Sequence, residues 1–255
     1  MSDPRLAQSR EFLKDTIRQE VGFWQTAQSR GAAPPPLEKP FSPDAVRIPL
    51  SALDQWGDVG HADLLAAMAH RQSRREFAER PLELTELAFL LWATQGVRRR
   101  VNRATALRTV PSAGARHALE TYLAVFDVQG LEPAIYRYLP LEHELLVEFH
   151  DPDAPRRLAE AALGQFFVAT AAVVFIWTAV PYRMEWRYGL ASHKEIALDA
   201  GHVCQNLYLG CEAIGAATCA VAAYHQQLMD QFVRVDGEEE FVIYLAPVGK
   251  RVEKD

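Results

Sequence analysis

The chain has 255 residues, of which 49% are hydrophobic and 24% charged, enough apolar material for one sizeable core and not the composition of a disordered chain. A formal charge of −6 argues against nucleic acid or an anionic membrane as the main partner, while a small anionic ligand needs only a local cluster of positive charge. No stretch approaches the roughly 20 apolar residues of a bilayer span. The opening MSDPRLAQSR has no apolar signal core, and Cys204, Cys211 and Cys219 have neither metal-ligand spacing nor an even count, so a reducing, cytoplasmic setting is expected.

Taken in order, Leu13, Ile17, Val21 and Trp24 lie on one helical stripe, which predicts a helix over about residues 5–29. The prolines of GAAPPPLEKPFSPD (31–44) forbid a regular helix and predict an extended linker, folded back on its own body or reaching a neighbouring subunit. Residues 1–44 are therefore set apart from a main domain over 45–255. HADLLAAMAH reads as a short helix delivering the polar turn RQSRREF, and LTELAFLLWATQG as an amphipathic helix closed by Gly96. VRRRVNRATALRTV carries five arginines and little apolar pattern, and predicts an exposed, mobile loop.

LETYLAVFDV, AIYRYL and ELLVEF read as strands, and a helix over 153–164 leads into a buried strand within the apolar run from Phe166 to Ala179. The longest helix covers about 192–214. Its residues Ile196, Ala200, Val203, Leu207, Cys211 and Ile214 alternate spacings of four and three, a seam that buries against another helix, and Gly215 ends it. A short strand near 217–222, a helix at 225–234 and the strand FVIYLAPVG follow. Helices and strands mix with hairpin-like neighbours, which favours an α+β fold over a doubly wound sheet.

Three constellations carry chemistry. Arg71-Gln72-Ser73-Arg74-Arg75 gathers guanidinium groups and a hydroxyl in one turn, suited to a phosphate or simply an exposed basic turn. Pro111-Ser112-Ala113-Gly114 is small enough for backbone N–H groups to approach a planar ligand, or is an ordinary tight turn. Gly249-Lys250-Arg251 follows a buried strand and either reaches back to a phosphate or is a solvated tail. His202, Asn206 and Asp199 share the polar face of the long helix as ligand contacts or as a hydrogen-bonded flank. The three cysteines pack as small apolar residues, and one face of the strand holding Tyr136 and Tyr138 is core.

Arg71-x-Ser73-x-Arg75-x-Phe77 resembles the opening FMN signature of the nitroreductase superfamily. LLWATQG, PSAGARHALETY, IYRYLPLEHEL, WRYG, LDAGHVCQNLYLGCEAIG and YLAPVGK, in that order over residues 65–250, resemble its thiazole/oxazole dehydrogenase (SagB-type) branch. The resemblance implies a nitroreductase-like α+β fold, an antiparallel-rich central sheet flanked by helices, and an intertwined homodimer binding FMN where the subunits meet. Arg71, Ser73 and Arg75 would hold the phosphate and ribityl end. Pro111, Ser112, Ala113 and Gly114 would line the isoalloxazine, and Lys250 with Arg251 would add charge at the phosphate. The seam of the long helix would then lie at the dimer's centre.

Azoline-oxidising members of that branch carry a Lys-Tyr pair before the central helix, where this chain has Trp186-Arg187-Tyr188-Gly189. Arg187 and Tyr188 are the candidate catalytic residues. Arginine stays protonated where a lysine can be tuned to act as a base, so Arg187 suits an anionic substrate group, or is a surface residue beside Tyr188. The expected function is an FMN-dependent dehydrogenase or reductase passing hydride between a small or peptide-borne heterocyclic substrate and flavin. Alternatives are an NAD(P)H-dependent nitro or quinone reductase, an enzyme fragmenting flavin with oxygen, and a degenerate member that binds FMN or a partner without turnover.

Overall fold

The computed structural model describes residues 3–253. Its helices are α1 (Pro4–Leu13), α2 (Leu64–His70), α3 (Leu84–Gln95), α4 (Ala154–Ala161), α5 (Tyr182–Tyr188), α6 (Ser192–Ala213) and α7 (Gln226–Val233). Its strands are β1 (Arg47–Pro49), β2 (Leu82–Glu83), β3 (Val97–Asn102), β4 (Thr105–Arg108), β5 (Leu119–Val125), β6 (Val128–Gln129), β7 (Ala134–Leu139), β8 (Glu144–Phe149), β9 (Val173–Ala179), β10 (Ala216–Thr218) and β11 (Phe241–Lys250). Seven of them form one sheet, in the order β1-β8-β7-β5-β9-β11-β10, with every neighbouring pair antiparallel.

The sheet is covered on both faces, so β9 is buried at every position and apolar at all but Thr178. Side chains still sort by twos along each strand. Leu119, Leu123, Phe175, Trp177 and Val248 join α3 and α6 in one core. Tyr122, Ala124, Val174, Ile176 and Leu245 join α4 and α7 in the other. A bulge between Val242 and Tyr244 in β11 resets its alternation.

The second face ends in a charged patch. Glu120, Arg137 and Arg183 are each 2% exposed, and Arg108 lies beside them. Residues 37–40 cross this patch as a strap. Arg108 Nη2 donates to the Leu37 carbonyl at 2.9 Å, and Arg137 donates to the carbonyls of Lys39 at 2.7 Å and Pro40 at 3.2 Å. The Lys39 N–H donates to Glu120 Oε1 at 2.7 Å, and Lys39 Nζ pairs with Glu240. Further back, Trp186 Nε1 donates to the Ala32 carbonyl and the Gln28 N–H to the Trp186 carbonyl. The linker thus folds back on its own body, where its extended backbone offers the carbonyls of Leu37, Lys39 and Pro40 to buried arginines.

Three expectations are corrected. The helix over 5–29 stops at Leu13, and short 3₁₀ turns at Thr16–Gln19 and Phe23–Gln25 follow. Only the middle of its stripe is covered: Ile17 and Val21 are half-buried, but Trp24 is 75% exposed, and the segment is tied by local pairs such as Lys14–Glu11 and Arg18–Asp15 and by Arg18 to Glu195 of α6. The arginine-rich stretch is an ordered hairpin of β3 and β4, closed by the Asn102 side chain accepting from the Ala104 N–H at 2.8 Å. Ala106 and Arg108 are buried from β4 while β3 faces solvent, so one strand carries no apolar signal at all. The α6 seam, Ile196 to Cys211, is buried within the chain, in the core that α3 lines, so a partner subunit would meet other faces of this helix.

Candidate functional site

From α2 the chain leaves as a loop, residues 71–78, held along β10 and the end of β11. The Arg74 N–H donates to the Thr218 carbonyl and the Ala78 N–H to the Lys250 carbonyl, both at 2.9 Å. Ser73 Oγ lies 2.8 Å from Tyr208 Oη on α6. The Arg71 guanidinium sits 5.3 Å from the Tyr208 ring and that of Arg75 5.7 Å from the Phe167 ring. Among the described residues, neither Arg71 nor Arg75 has a carboxylate partner. A cavity of about 760 Å³ opens beside Ser73, Arg75 and Arg251.

The other cations here are already neutralised. Glu212 on α6 takes Arg74 and Arg251 at 2.5 Å each. Lys250 Nζ pairs with Glu86 at the start of α3, a carboxylate that also caps that helix by accepting from the Glu83 N–H. The chain end therefore reaches the loop, but the free positive charge of this cradle belongs to Arg71 and Arg75.

The second constellation follows β4. Gly114, Ala115 and His117 have φ of 57°, 52° and 48°, a concentration of left-handed backbone that marks a held, strained turn. A Cβ on Gly114 would come within 2.5 Å of Tyr188 Oη and 3.0 Å of Arg187 Cδ, so glycine lets the last turn of α5 close on this backbone. The Arg187 guanidinium lies 5.5 Å from the Tyr188 ring. Burial holds the His117 imidazole neutral, at a pKa of about 2, with Arg108 and other nearby guanidinium groups adding to the effect. Asp199 of α6 lies under the turn. Burial raises its carboxyl pKa, while the Ser112 hydroxyl and Ala113 N–H pull it back.

Within one chain these two constellations do not converge. The turn faces Asp199 and the basic loop faces Tyr208, nine residues later in α6. At 100° and about 1.5 Å per residue that is half a turn around the helix and roughly 13 Å along it.

Of the helix-flank residues, Asn206 donates to the Ala93 carbonyl at 2.8 Å and ties α6 to α3, and His202 is exposed. All three cysteines are buried and free, and burial pushes the Cys204 thiol up to about 12. Tyr136 and Tyr138 are both core residues. Sequence reasoning missed Tyr208, Glu212 and Arg116. Tyr208 and Glu212 each sit one position after a seam residue, Leu207 and Cys211, where a polar group marks the helix flank facing a neighbouring segment.

Residues 68–250 match the Nitroreductase family. The chain belongs to that family. A protein of Methanocaldococcus jannaschii named as a nitroreductase, MJ1384, is 35% identical over 199 residues, 78% of this chain and 96% of that protein. Two crystal structures described as nitroreductases superpose well. One, from Anabaena variabilis, has a TM-score of 0.68 and 27% identity over 82% of this chain, which spans 42% of the Anabaena chain. The other, from Ralstonia eutropha, has a TM-score of 0.67 and 25% identity over 86% of this chain and 99% of its own. The E. coli microcin synthetase McbBCD complex, solved with truncated pro-MccB17 bound, shares the fold at a TM-score of 0.60 and 16% identity, over 85% of this chain and 79% of its own. The fold is nitroreductase-like, helices around an antiparallel sheet, and the chain is a nitroreductase-family oxidoreductase. The family generally binds flavin. Among the described residues no helix is long and apolar enough to cross a membrane, and no cluster of three or more His, Cys, Asp or Glu could hold a metal.

Proposed function

We propose that this nitroreductase-family chain is an FMN-dependent oxidoreductase that passes hydride between a small or peptide-borne heterocyclic substrate and the flavin. One observation carries the reading: Arg71 and Arg75 flank Ser73 and make no ion pair among the described residues, and Ser73 and Arg75 line an open cavity whose rim also holds Glu76 and Glu253, in a chain of net charge −6. Two unpaired guanidinium groups with a hydroxyl are the donor set a phosphate monoester requires. FMN, when bound, supplies a two-electron carrier able to take and give hydride. Arg71, Ser73 and Arg75 hold its phosphate end, with Arg251 behind them joined to the loop through Glu212 and Lys250 holding it through its backbone carbonyl while its ammonium pairs with Glu86. Pro111, Ser112, Ala113 and Gly114 line the ring, their small side chains allowing backbone contact. Tyr188 offers a hydroxyl at that turn to hold a substrate proton, and Arg187 a charge that stays protonated.

Because the loop and the turn lie on opposite flanks of α6, one flavin is shared between two copies of the chain, the loop from one and the turn from the other. Exposed Leu64, Leu65 and Met68 on α2 and Leu198 on α6 suit such a contact. An absorption spectrum of the purified protein, with mass analysis of the released cofactor, tests the reading directly. Arg71→Ala with Arg75→Ala removes charge-assisted bonds worth about 1.5–3 kcal/mol each, so flavin affinity falls roughly 10²- to 10⁴-fold. A fully yellow double variant refutes the cradle. Mixing that variant with a Gly114→Val chain restores one intact site per mixed dimer if the site is shared, and none if it is not.

The M. jannaschii relative's name favours a second reading, an NAD(P)H-driven reductase of nitro compounds or quinones. Steady-state rates with NADPH and a nitroaromatic, set against oxygen consumption on heterocyclic donors, separate the two.

A further inference from the structure

We infer that Arg187, Arg116 and the Tyr188 hydroxyl form an oxyanion subsite over the Gly114 turn, walled by the β3–β4 hairpin, that receives the carboxylate or phosphate of an anionic substrate. This deepens the functional reading and rests on it only for the nearby reacting face.

Arg187 and Tyr188 both close on Gly114. Arg116 lies on the same backbone, 6% exposed, its Nε donating to the Gly114 carbonyl at 3.3 Å and its Nη2 to the Ala104 carbonyl at 2.6 Å and Thr105 Oγ1 at 3.2 Å. The Trp186 ring lies 5.3 Å from its guanidinium. Arg116 therefore fixes the hairpin tip to the turn and is itself fixed, so its charge is held in place before any ligand arrives.

Among the described residues neither guanidinium group makes an ion pair, and the acids nearest in the chain are engaged elsewhere: Glu185 by His193 and Glu195 by Arg18, both at 2.9 Å, and Glu120 by Arg183. Burial lowers the Arg116 pKa, and the Arg187 charge lowers it further, so the two cations lie within each other's field. Paired like charges without a counter-ion are costly, and an incoming oxyanion relieves that cost.

The surroundings repeat the sign. Residues 87–119 hold six arginines and no acidic residue, in a chain whose net charge is −6. Arg99, Arg100 and Arg103 are exposed on the hairpin, an arrangement that draws anions toward this mouth. Arg187 is exposed and free to present its fork, the Tyr188 hydroxyl lies beside it over Gly114 as a further donor group, and Arg116 supplies charge from behind.

Calorimetric titration of the purified protein with benzoate, phenyl phosphate and benzamide tests the subsite without turnover. Benzoate, phenyl phosphate or both should bind at least about tenfold more tightly than the neutral amide, the difference expected of one charge-assisted pair, and which binds better names the oxyanion. Arg187→Gln should bring the anions to within about threefold of benzamide, and Arg187→Lys should recover part of the preference. Unchanged flavin content and melting temperature in these variants exclude a folding defect. Equal binding of benzoate, phenyl phosphate and benzamide to the parent, or an anion preference that survives Arg187→Gln in full, overturns the inference. A protein that takes up no FMN yet prefers the anions would sink the functional reading and leave the subsite standing.

Discussion

Glu120→Gln removes one charge from the centre of the buried patch beneath the strap, at nearly constant volume. In the parent, Glu120 Oε1 accepts from the Lys39 N–H and from Arg183, and Arg137 lies 3.8 Å from Oε2. Burial alone would raise the Glu120 carboxyl, but Arg183, Arg137 and Arg108 outweigh it and hold it below the ordinary glutamate value. Arg137 keeps Glu148 at 2.7 Å and Arg108 keeps Gln95, whereas Arg183, 2% exposed, loses its one carboxylate. Breaking a buried pair by removing one partner costs about 3–5 kcal/mol. For a chain of this size, that lowers the melting temperature by roughly 6–20 °C. Differential scanning calorimetry reads the shift. Limited proteolysis reads where it acts, with cleavage expected first within 26–40, the segment bonded to Glu120 and to α5. A variant that melts within about 2 °C of the parent, with the strap equally protected, refutes the view that this charge organises the patch.

Two further predictions concern the same architecture. Burial, with the Glu142 carboxylate opposite, raises Glu38 to about 7. A carboxyl raised in the folded state contributes stability in full below its unfolded pKa and loses it as pH rises through the folded one. The melting temperature should therefore fall between about pH 4.5 and 7 and level off above that, and Glu38→Gln should flatten that slope; an identical slope in the variant excludes Glu38 as the source. Gly114→Ala places a methyl group against Tyr188 Oη in a left-handed conformation that costs about 1–2 kcal/mol. It should lower the melting temperature by roughly 2–8 °C and, by moving Tyr188, weaken benzoate binding; a variant unchanged in both would show that the turn has slack.

What the sequence made legible follows from burial. The sheet strands and α6 announced themselves because their periods record which side chains leave water, and Gly96 and Gly215 marked real helix ends. The stripe at Leu13, Ile17, Val21 and Trp24 had the right period, yet its ends Leu13 and Trp24 stay exposed, so period alone misled. The β3 strand was illegible for the opposite reason: a strand exposed along its length carries no apolar signal. Among the candidate site residues, local clustering marked Arg71, Ser73, Arg75 and the Gly114 turn. Whether Lys250 was free was not local information, because Glu86 stands 164 positions away. Nor could spacing reveal that the loop and the turn occupy opposite flanks of one helix, since the loop is tied to it only through Tyr208 and Glu212 and the turn through Asp199.

The strap over residues 37–40 is gripped through its main chain: Arg108 and Arg137 reach carbonyl oxygens, and Glu120 reaches an amide. Such recognition is blind to side-chain identity. Sequences sharing this architecture should drift at Leu37 and Pro40, less at Glu38 and Lys39 whose side chains are also engaged, while keeping their number, since dropping one residue would throw every carbonyl out of step with the guanidinium that awaits it.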